Sequence, residues 1–371
     1  TAAPCALLLA ALSNAGWTSP VLAQQTPEPA LLDSVIVTGR RNVEDPAVVA
    51  EARALLSRTP GAVAVVASET YQDRYALTFA DTLRSVPGVF AQRRWGEEVR
   101  LSIRGSGIGT SAHLRGVLLA QDGVPFNAPD GFGEFQEIDP LIARHIDVFK
   151  GGNALRFGGA ALGGAINVVT PTGRTAASQN LIRVEGGSFD TLRGHLALAR
   201  NWGDWDLYAA ATVASSDGFR DNQSSDSKRL TLNLGRSFGE GRELRLIVQG
   251  NDLDQSVSSA VTRQQALSNP TAVPANNTTL AFARDVKSLR STLLGRWRVD
   301  DSLAIEGAVY VVDKDLYHPI SIVIDQNSQQ WGGYGRLDWN GRLGGMRADA
   351  YVGVSYRGGT TDAFTFVAAG G

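Results

Sequence analysis

The stretch "RLTLNLGRSF", residues 229–238, decides how the second half of this chain is read. Leu230, Leu232, Leu234 and Phe238 fall on one face of an extended strand; Arg229, Thr231, Asn233 and Ser237 fall on the other. Period two sustained over ten residues is the signature of a strand between two unlike environments. The arrangement recurs. "TLRGHLALA" (191–199) sets Leu192, Leu196 and Leu198 opposite Arg193 and His195. "WDLYAAATV" (205–213) sets Trp205, Leu207 and Val213 against Asp206, Tyr208 and Thr212. "ELRLIVQG", "SLAIEGAVYV", "WGGYGRLDWN" and "RADAYVGVSY" repeat the scheme. Nine strands are expected, near 179–189, 191–200, 205–214, 228–238, 243–251, 288–298, 302–312, 330–340 and 347–357.

Two features say what surrounds these strands. They run to about ten residues, longer than an ordinary soluble strand and right for a tilted bilayer crossing. Their connections alternate. "NWGD", "GEGR", "VDDS" and "GRLGGM" are short turns, whereas long polar loops follow the third, fifth and seventh strands. That alternation belongs to outer-membrane β-barrels. Trp205, Phe238, Trp297 and Trp339 all stand beside the short turns, where an aromatic girdle belongs. An antiparallel transmembrane β-barrel is therefore expected over residues 176–371. Nine strands are an odd number, and a lumen wide enough to hold a separate domain needs about 22, so a partial barrel is expected.

The 371 residues carry a net charge of −2, which gives no electrostatic case for nucleic acid. Cys5 is the single cysteine; His113, His145, His195 and His318 lie too far apart for metal-ligand spacing. Residues 1–23 read as a truncated export signal. "CALLLAAL" is its apolar core and "VLA" supplies small residues for cleavage near Ala23. A linker, "QQTPEPA", and an isolated β-forming run, "LDSVIVTGRR" (32–41), follow within a segment spanning 24–60. Asp45 and Pro46 read as the N-cap and first residue of a helix running to about residue 58.

Residues 61–175 read as a glycine-rich α+β domain. Its helix is "TFADTLRSV", and its strands are "AVAVV", "VRLSIRG", "GVLLAQDG", "HIDVFKG" and "GAINVVT". "GSGIGT" lacks the third glycine of a dinucleotide fingerprint, since Thr110 stands there. No catalytic cluster or cofactor site is evident, so an enzyme is not expected.

A compact domain ahead of a barrel suggests a plug. The chain resembles TonB-dependent outer-membrane receptors. The resemblance rests on "LSIRGSG" (101–107), "AQDGVPFNAPDG" (120–131) and "IDVFKGGNALRFGGAALGGAINVVTPTG" (146–173). It implies that Ser34, Val35, Ile36, Val37 and Thr38 form a TonB box at 33–38. There a TonB strand would add by β-augmentation, energised by an inner-membrane complex. It implies active import of a scarce ligand, most of all a ferric siderophore; haem, cobalamin, another metal chelate or a sugar are the alternatives, and a passive porin a remoter one. Substrate contacts are expected from two plug apices, through Arg93, Arg94 and Trp95 and through Asn127, Asp130 and Phe132. Arg104 resembles a family arginine that ties plug to barrel through barrel carboxylates.

Overall fold

The computed structural model describes residues 45–59, 61–106, 116–159 and 161–367. The expected signal segment and the run at 33–38 lie outside the described residues. Residues 45–371 form one compact unit. It opens with helix α1 (Ala47–Leu56). Pro46, rather than Asp45, occupies the N-cap position, and no side chain caps the helix. Asp45 instead pairs with Arg53 at 2.6 Å. Although α1 lies upstream of residue 61, Leu56 packs into a core cluster with Leu118, Phe149 and Ala165.

The plug then runs β1 (Val63–Ala67), α2 (Phe79–Leu83), β2 (Val89–Arg93), β3 (Val99–Ile103), β4 (Val117–Gln121), β5 (Val124–Pro125), β6 (His145–Lys150) and β7 (Gly164–Val169). Five strands form one mixed sheet in the order β1-β6-β7-β4-β5, and β2-β3 is a separate hairpin. Helix α2 starts with a capping box between Thr78 and Asp81, and buries Phe79 and Leu83 in the main core with Leu119, Ile146 and Ile166. The glycine-rich run before β7 has a steric cause at Gly164. Its φ is +150°, and a Cβ there would collide with the Phe149 carbonyl across the sheet.

Nine antiparallel strands follow in a single meander: β8 (Asn180–Gly187), β9 (Thr191–Trp202), β10 (Trp205–Ser216), β11 (Ser225–Ser237), β12 (Arg242–Gln255), β13 (Asp285–Arg298), β14 (Leu303–Pro319), β15 (Ile322–Leu343) and β16 (Met346–Val367). The sheet is open within the described residues and constitutes a partial barrel. Register aligns Leu207, Leu234, Leu246, Leu293 and Val309 in one row across five strands. Leu246, Leu293 and Val309 in that row are exposed. The opposite face of the sheet is polar and buried from β9 to β13: Arg193, His195, Asp206, Thr212, Arg229, Thr231, Asn233, Arg245, Gln249 and Arg290. A water-soluble sheet puts its apolar face inward. This one puts it outward and wraps its polar face around the plug, as a lipid-embedded barrel must.

Beside the short turns the rings form a belt. Trp202 pairs with Trp205, Phe238 lies 6.1 Å from Trp297, and Arg236 and Arg242 sit over these rings. One expected connection is different. The loop after the seventh strand is absent, because β14 and β15 continue through 313–319 and 322–329 to a tight turn. At ~3.3 Å per residue, a strand like β15 reaches about 70 Å, against ~40 Å for a crossing tilted by ~45°. The hairpin is therefore longer than a crossing needs; over 313–319 its inward residues Lys314 and Leu316 pack on the plug and the neighbouring strands, while the outward ones, Asp313, Asp315 and Tyr317, are not an apolar row, so the alternation that marks the other strands is lost.

Candidate functional site

The plug is held by polar contacts to the inner face of the sheet, and these set the position of its apices. At the short-turn end, Asp206 accepts hydrogen bonds from Gly173 N at 3.0 Å and from Arg245 at 2.5 Å. Halfway up, Gln249 donates to Gln121 at 2.8 Å and Arg290 donates to the Pro125 carbonyl at 2.6 Å. Higher still, Glu97 is met by Arg229 at 2.6 Å and by the Ser227 hydroxyl at 2.8 Å. Glu134 is clasped by Arg284 and Lys314, and Glu137 by Lys314 and by Ser288 at 2.8 Å. Burial by itself pushes the Glu134 carboxyl up, but the charges of Arg284 and Lys314 outweigh it and hold the group well below the usual carboxylate range.

In these pairs the plug supplies the carboxylates and the barrel supplies the cations; at the short-turn end the polarity is the other way, with Arg174 paired to Asp206 of β10 at 3.5 Å. Arg104, the expected tie, is exposed at φ +53° in a turn, beside Gly151 of the plug, and makes no ion pair among the described residues. None of the buried pairs is readable from the sequence, since each joins residues more than 130 positions apart.

The first apex is the turn between β2 and β3. Gly96 turns it at φ +47°, and a Cβ there would strike the Gln255 side chain, whose Oε1 accepts from Glu97 N at 2.8 Å. The left-handed backbone favours glycine here, and a larger residue would also displace the Gln255 amide from Glu97 N. Arg93 donates to the Gly96 carbonyl at 2.6 Å and braces the turn. Arg94 pairs with Glu98 at 2.7 Å and lies 3.7 Å above the Trp95 ring. In the second apex Asp130 accepts from Phe132 N at 3.0 Å, and Arg284 and Lys314 sit over the Phe132 ring.

Four of the six expected substrate residues meet in one place. Arg94, Trp95, Asp130 and Phe132 line a cavity of about 560 Å³ between the apices and the barrel wall, closed on the far side by Val257, Arg284, Ile320 and Ile324. A second cavity of about 410 Å³ shares the walls at Asp130, Phe132, Glu134, Leu316 and Gln326. The larger is walled in part by Val257, Ser259 and Ala260 of the long β12–β13 connection. Arg93 and Asn127 are outside these walls. Asn127 is buried, accepting from Leu119 N at 2.6 Å and donating to the carbonyls of Val117 and Gly131. Its amide fastens the second apex to β4. At the opposite end Val48 of α1 lines a cavity with Thr172, Arg174 and Asp206, so the chain enters the plug beside the short turns.

One hydrolase-like spacing, G-x-S-x-G over Gly235–Gly239, has no strand-to-helix elbow. Ser237 ends β11 and donates to the Gly239 carbonyl at 3.2 Å.

Residues 56–165 match the family model described as TonB-dependent Receptor Plug Domain. The chain therefore carries a TonB-dependent receptor plug domain, followed by strands with the fold of part of an outer-membrane receptor barrel. Among curated relatives of the receptor is the vitamin B12 transporter BtuB of Vibrio vulnificus, 25% identical over 300 residues, which are 70% of this chain and 46% of that protein. Among solved structures, the receptor shares its fold with the unliganded ferric citrate transporter FecA at a TM-score of 0.67 and 17% identity, over 82% of this chain and 48% of that one. BauA, the ferric preacinetobactin receptor of Acinetobacter baumannii, superposes at a TM-score of 0.66 and 16% identity, over 83% and 48%. The chain spans about half the length of these relatives. The receptor is an outer-membrane protein.

Proposed function

We propose that this receptor imports a scarce metal chelate, a ferric siderophore above all, by TonB-dependent active transport across the outer membrane. The observation that carries the reading is the paired cavity. It is walled by both plug apices and by the inner face of the sheet. In this reading a ligand seated there passes inward when the plug rearranges. The buried clasps at Glu97, Glu134 and Glu137 are the contacts such a rearrangement has to break.

In this reading the run Ser34–Thr38 is the handle. It adds as an edge strand to TonB, with main-chain hydrogen bonds supplying the affinity. The entry of the chain beside the short turns supports this, because that end faces the periplasm and the inner-membrane energising complex. Export with cleavage near Ala23 is part of the same proposal. The likeness to a vitamin B12 transporter favours cobalamin as the second reading. The test is energised uptake. Iron-starved cells carrying the full receptor are offered a panel of radioiron chelates and labelled cobalamin, with and without TonB. TonB-dependent uptake of a ferric chelate is expected. Uptake that persists without TonB refutes active import.

A further inference from the structure

We infer that the outward face of the sheet, at its short-turn end, holds an anionic phospholipid. Its phosphate sits between Arg236 of β11 and Arg242 of β12, and its acyl chains lie along the leucines that follow.

Leu244 stands opposite Arg236, and Trp297 opposite Arg242, so the two arginines are diagonal neighbours on adjacent strands. Both are exposed and share the outward register of Leu244 and Leu246. Arg236 lies 5.2 Å from the Trp205 ring and 5.0 Å from that of Phe238. Arg242 lies 5.1 Å from the Trp297 ring, which is 6.1 Å from Phe238. The rings thus join the two cations into one patch. Neither arginine has an ion pair among the described residues. Glu240, in the turn that connects their strands, pairs instead with Arg298 at 3.3 Å. Arg242 donates to the Arg298 carbonyl at 3.2 Å, and Arg236 donates no hydrogen bond among the described residues. The rings meet part of the positive charge but leave most of the N–H donors without acceptors.

The charge is local. At the short-turn end, the outward register from β9 to β13 carries Arg200, Arg236 and Arg242 and no carboxylate. Toward the long loops the same register carries Asp226, Asp254, Asp313 and Asp315, beside Lys228 and the Asp252–Lys287 pair. Arg200 is already occupied: it donates to the Gln179 and Ala199 carbonyls at 2.8 Å and to the Asn180 side chain at 2.6 Å. Arg236 and Arg242 are two like charges one diagonal apart, at a depth where water screens them less than in bulk, and an anion shared between them relieves the repulsion. A phosphate diester does this, since its oxygens accept from both guanidinium forks. Leu244, Leu246 and Leu293 extend the patch toward the membrane interior, each about two-fifths exposed. A lipid covers both the arginines and these leucines, whereas a soluble anion covers the arginines alone. A zwitterionic headgroup brings its own cation, so an anionic one is favoured. The short turns face the periplasm, which places the lipid in the inner leaflet.

The experiment uses the full receptor in a neutral detergent, titrated with phosphatidylglycerol or phosphatidylethanolamine, and native mass spectrometry counts the lipids retained. Wild type is expected to hold one phosphatidylglycerol about tenfold or more tightly than phosphatidylethanolamine, as two basic contacts imply. Arg236→Gln with Arg242→Gln should erase that preference and leave phosphatidylethanolamine retention unchanged. Arg236→Lys with Arg242→Lys should keep part of it, which separates charge from a folding defect. Arg200→Gln, on the same face, should change nothing. Equal retention of the two lipids by wild type, an undiminished preference in the double Gln variant, or an equal loss in Arg200→Gln overturns the inference. A competition arm adds inorganic phosphate. Displacement of the lipid by phosphate at matched concentration would mean that the leucines contribute nothing, and it too overturns the assignment to a lipid.

Discussion

Glu97 at the tip of the first plug apex and Arg229 on β11 form an ion pair of 2.6 Å in which each residue is only about one-twentieth exposed. Removing one partner leaves the other charged and buried, which costs about 3–5 kcal/mol. Replacing both with apolar residues of similar volume costs far less. Glu97→Ala should therefore loosen the plug strongly, and Glu97→Leu with Arg229→Met should regain most of the loss. Heat or urea unfolding of the plug, combined as a double-mutant cycle, measures this. A coupling energy near zero would show that the pair does not hold the apex.

The outward row makes a prediction that separates a lipid-facing sheet from a wet one. Val309 on β14 is 60% exposed and lies between Leu293 and Gly333 on the neighbouring strands. If lipid covers it, Val309→Arg should cost about 2–4 kcal/mol near the bilayer midplane. On a water-exposed face the same change stays within about 0.5 kcal/mol. Folding into liposomes from urea reads the difference, and a neutral result would place this face in water.

How much of this could be read from the chain alone differs from element to element. Strands β9 to β13 were legible because Leu230-Thr231-Leu232-Asn233 and its counterparts alternate wherever one face meets lipid and the other a polar lumen. The far half of the β14–β15 hairpin is not, because its outward row, Asp313, Asp315, Asn327 and Gln329, is polar and gives no apolar alternation. Strands β2 and β5 were missed because they are five and two residues long and lack a distinctive pattern. Arg94, Trp95, Asp130 and Phe132 could be nominated as exposed turn chemistry. Asn127 looked the same in one dimension, but its amide is taken up by three backbone groups. The Glu97, Glu134 and Glu137 clasps depend on how the plug docks against the barrel, which no local pattern encodes.

A buried pair inside the plug makes a pH prediction. His145 and Asp147 on β6 lie 3.5 Å apart. Burial and the charge of Arg144 lower the His145 pKa to about 4, while burial raises that of Asp147 to about 6 against a hydrogen bond from Asn167. Between about pH 4 and 6 the folded pair holds one proton, on the aspartate. The unfolded pair also holds one, on the histidine. Stability is therefore nearly flat in this window. Asp147→Asn leaves only the depressed histidine, so the unfolded state binds more protons and stability falls as pH drops from 6.5 to 4. His145→Asn leaves only the raised carboxyl, and stability rises as pH falls through 6. Each slope can approach about 1.4 kcal/mol per pH unit. Melting temperatures across pH 4–7 test it, and parallel curves for the two variants would refute the compensation.

The proposed TonB box yields the prediction closest to function. In β-augmentation alternate backbone N–H groups of the added strand reach the partner, and proline has none to give. Val35→Pro or Val37→Pro should remove one ladder donor and stiffen the segment. Neither residue is near the ligand cavity in sequence, and the cavity walls come from residue 94 onward. Binding of ferric chelate to vesicles should therefore be unchanged, while energised uptake falls to the level seen without TonB. A conservative change that keeps the N–H, Val35→Ile, should preserve uptake and so separates the backbone effect from a side-chain one. If the proline variants import at the wild-type rate, the handle for TonB lies elsewhere in the chain.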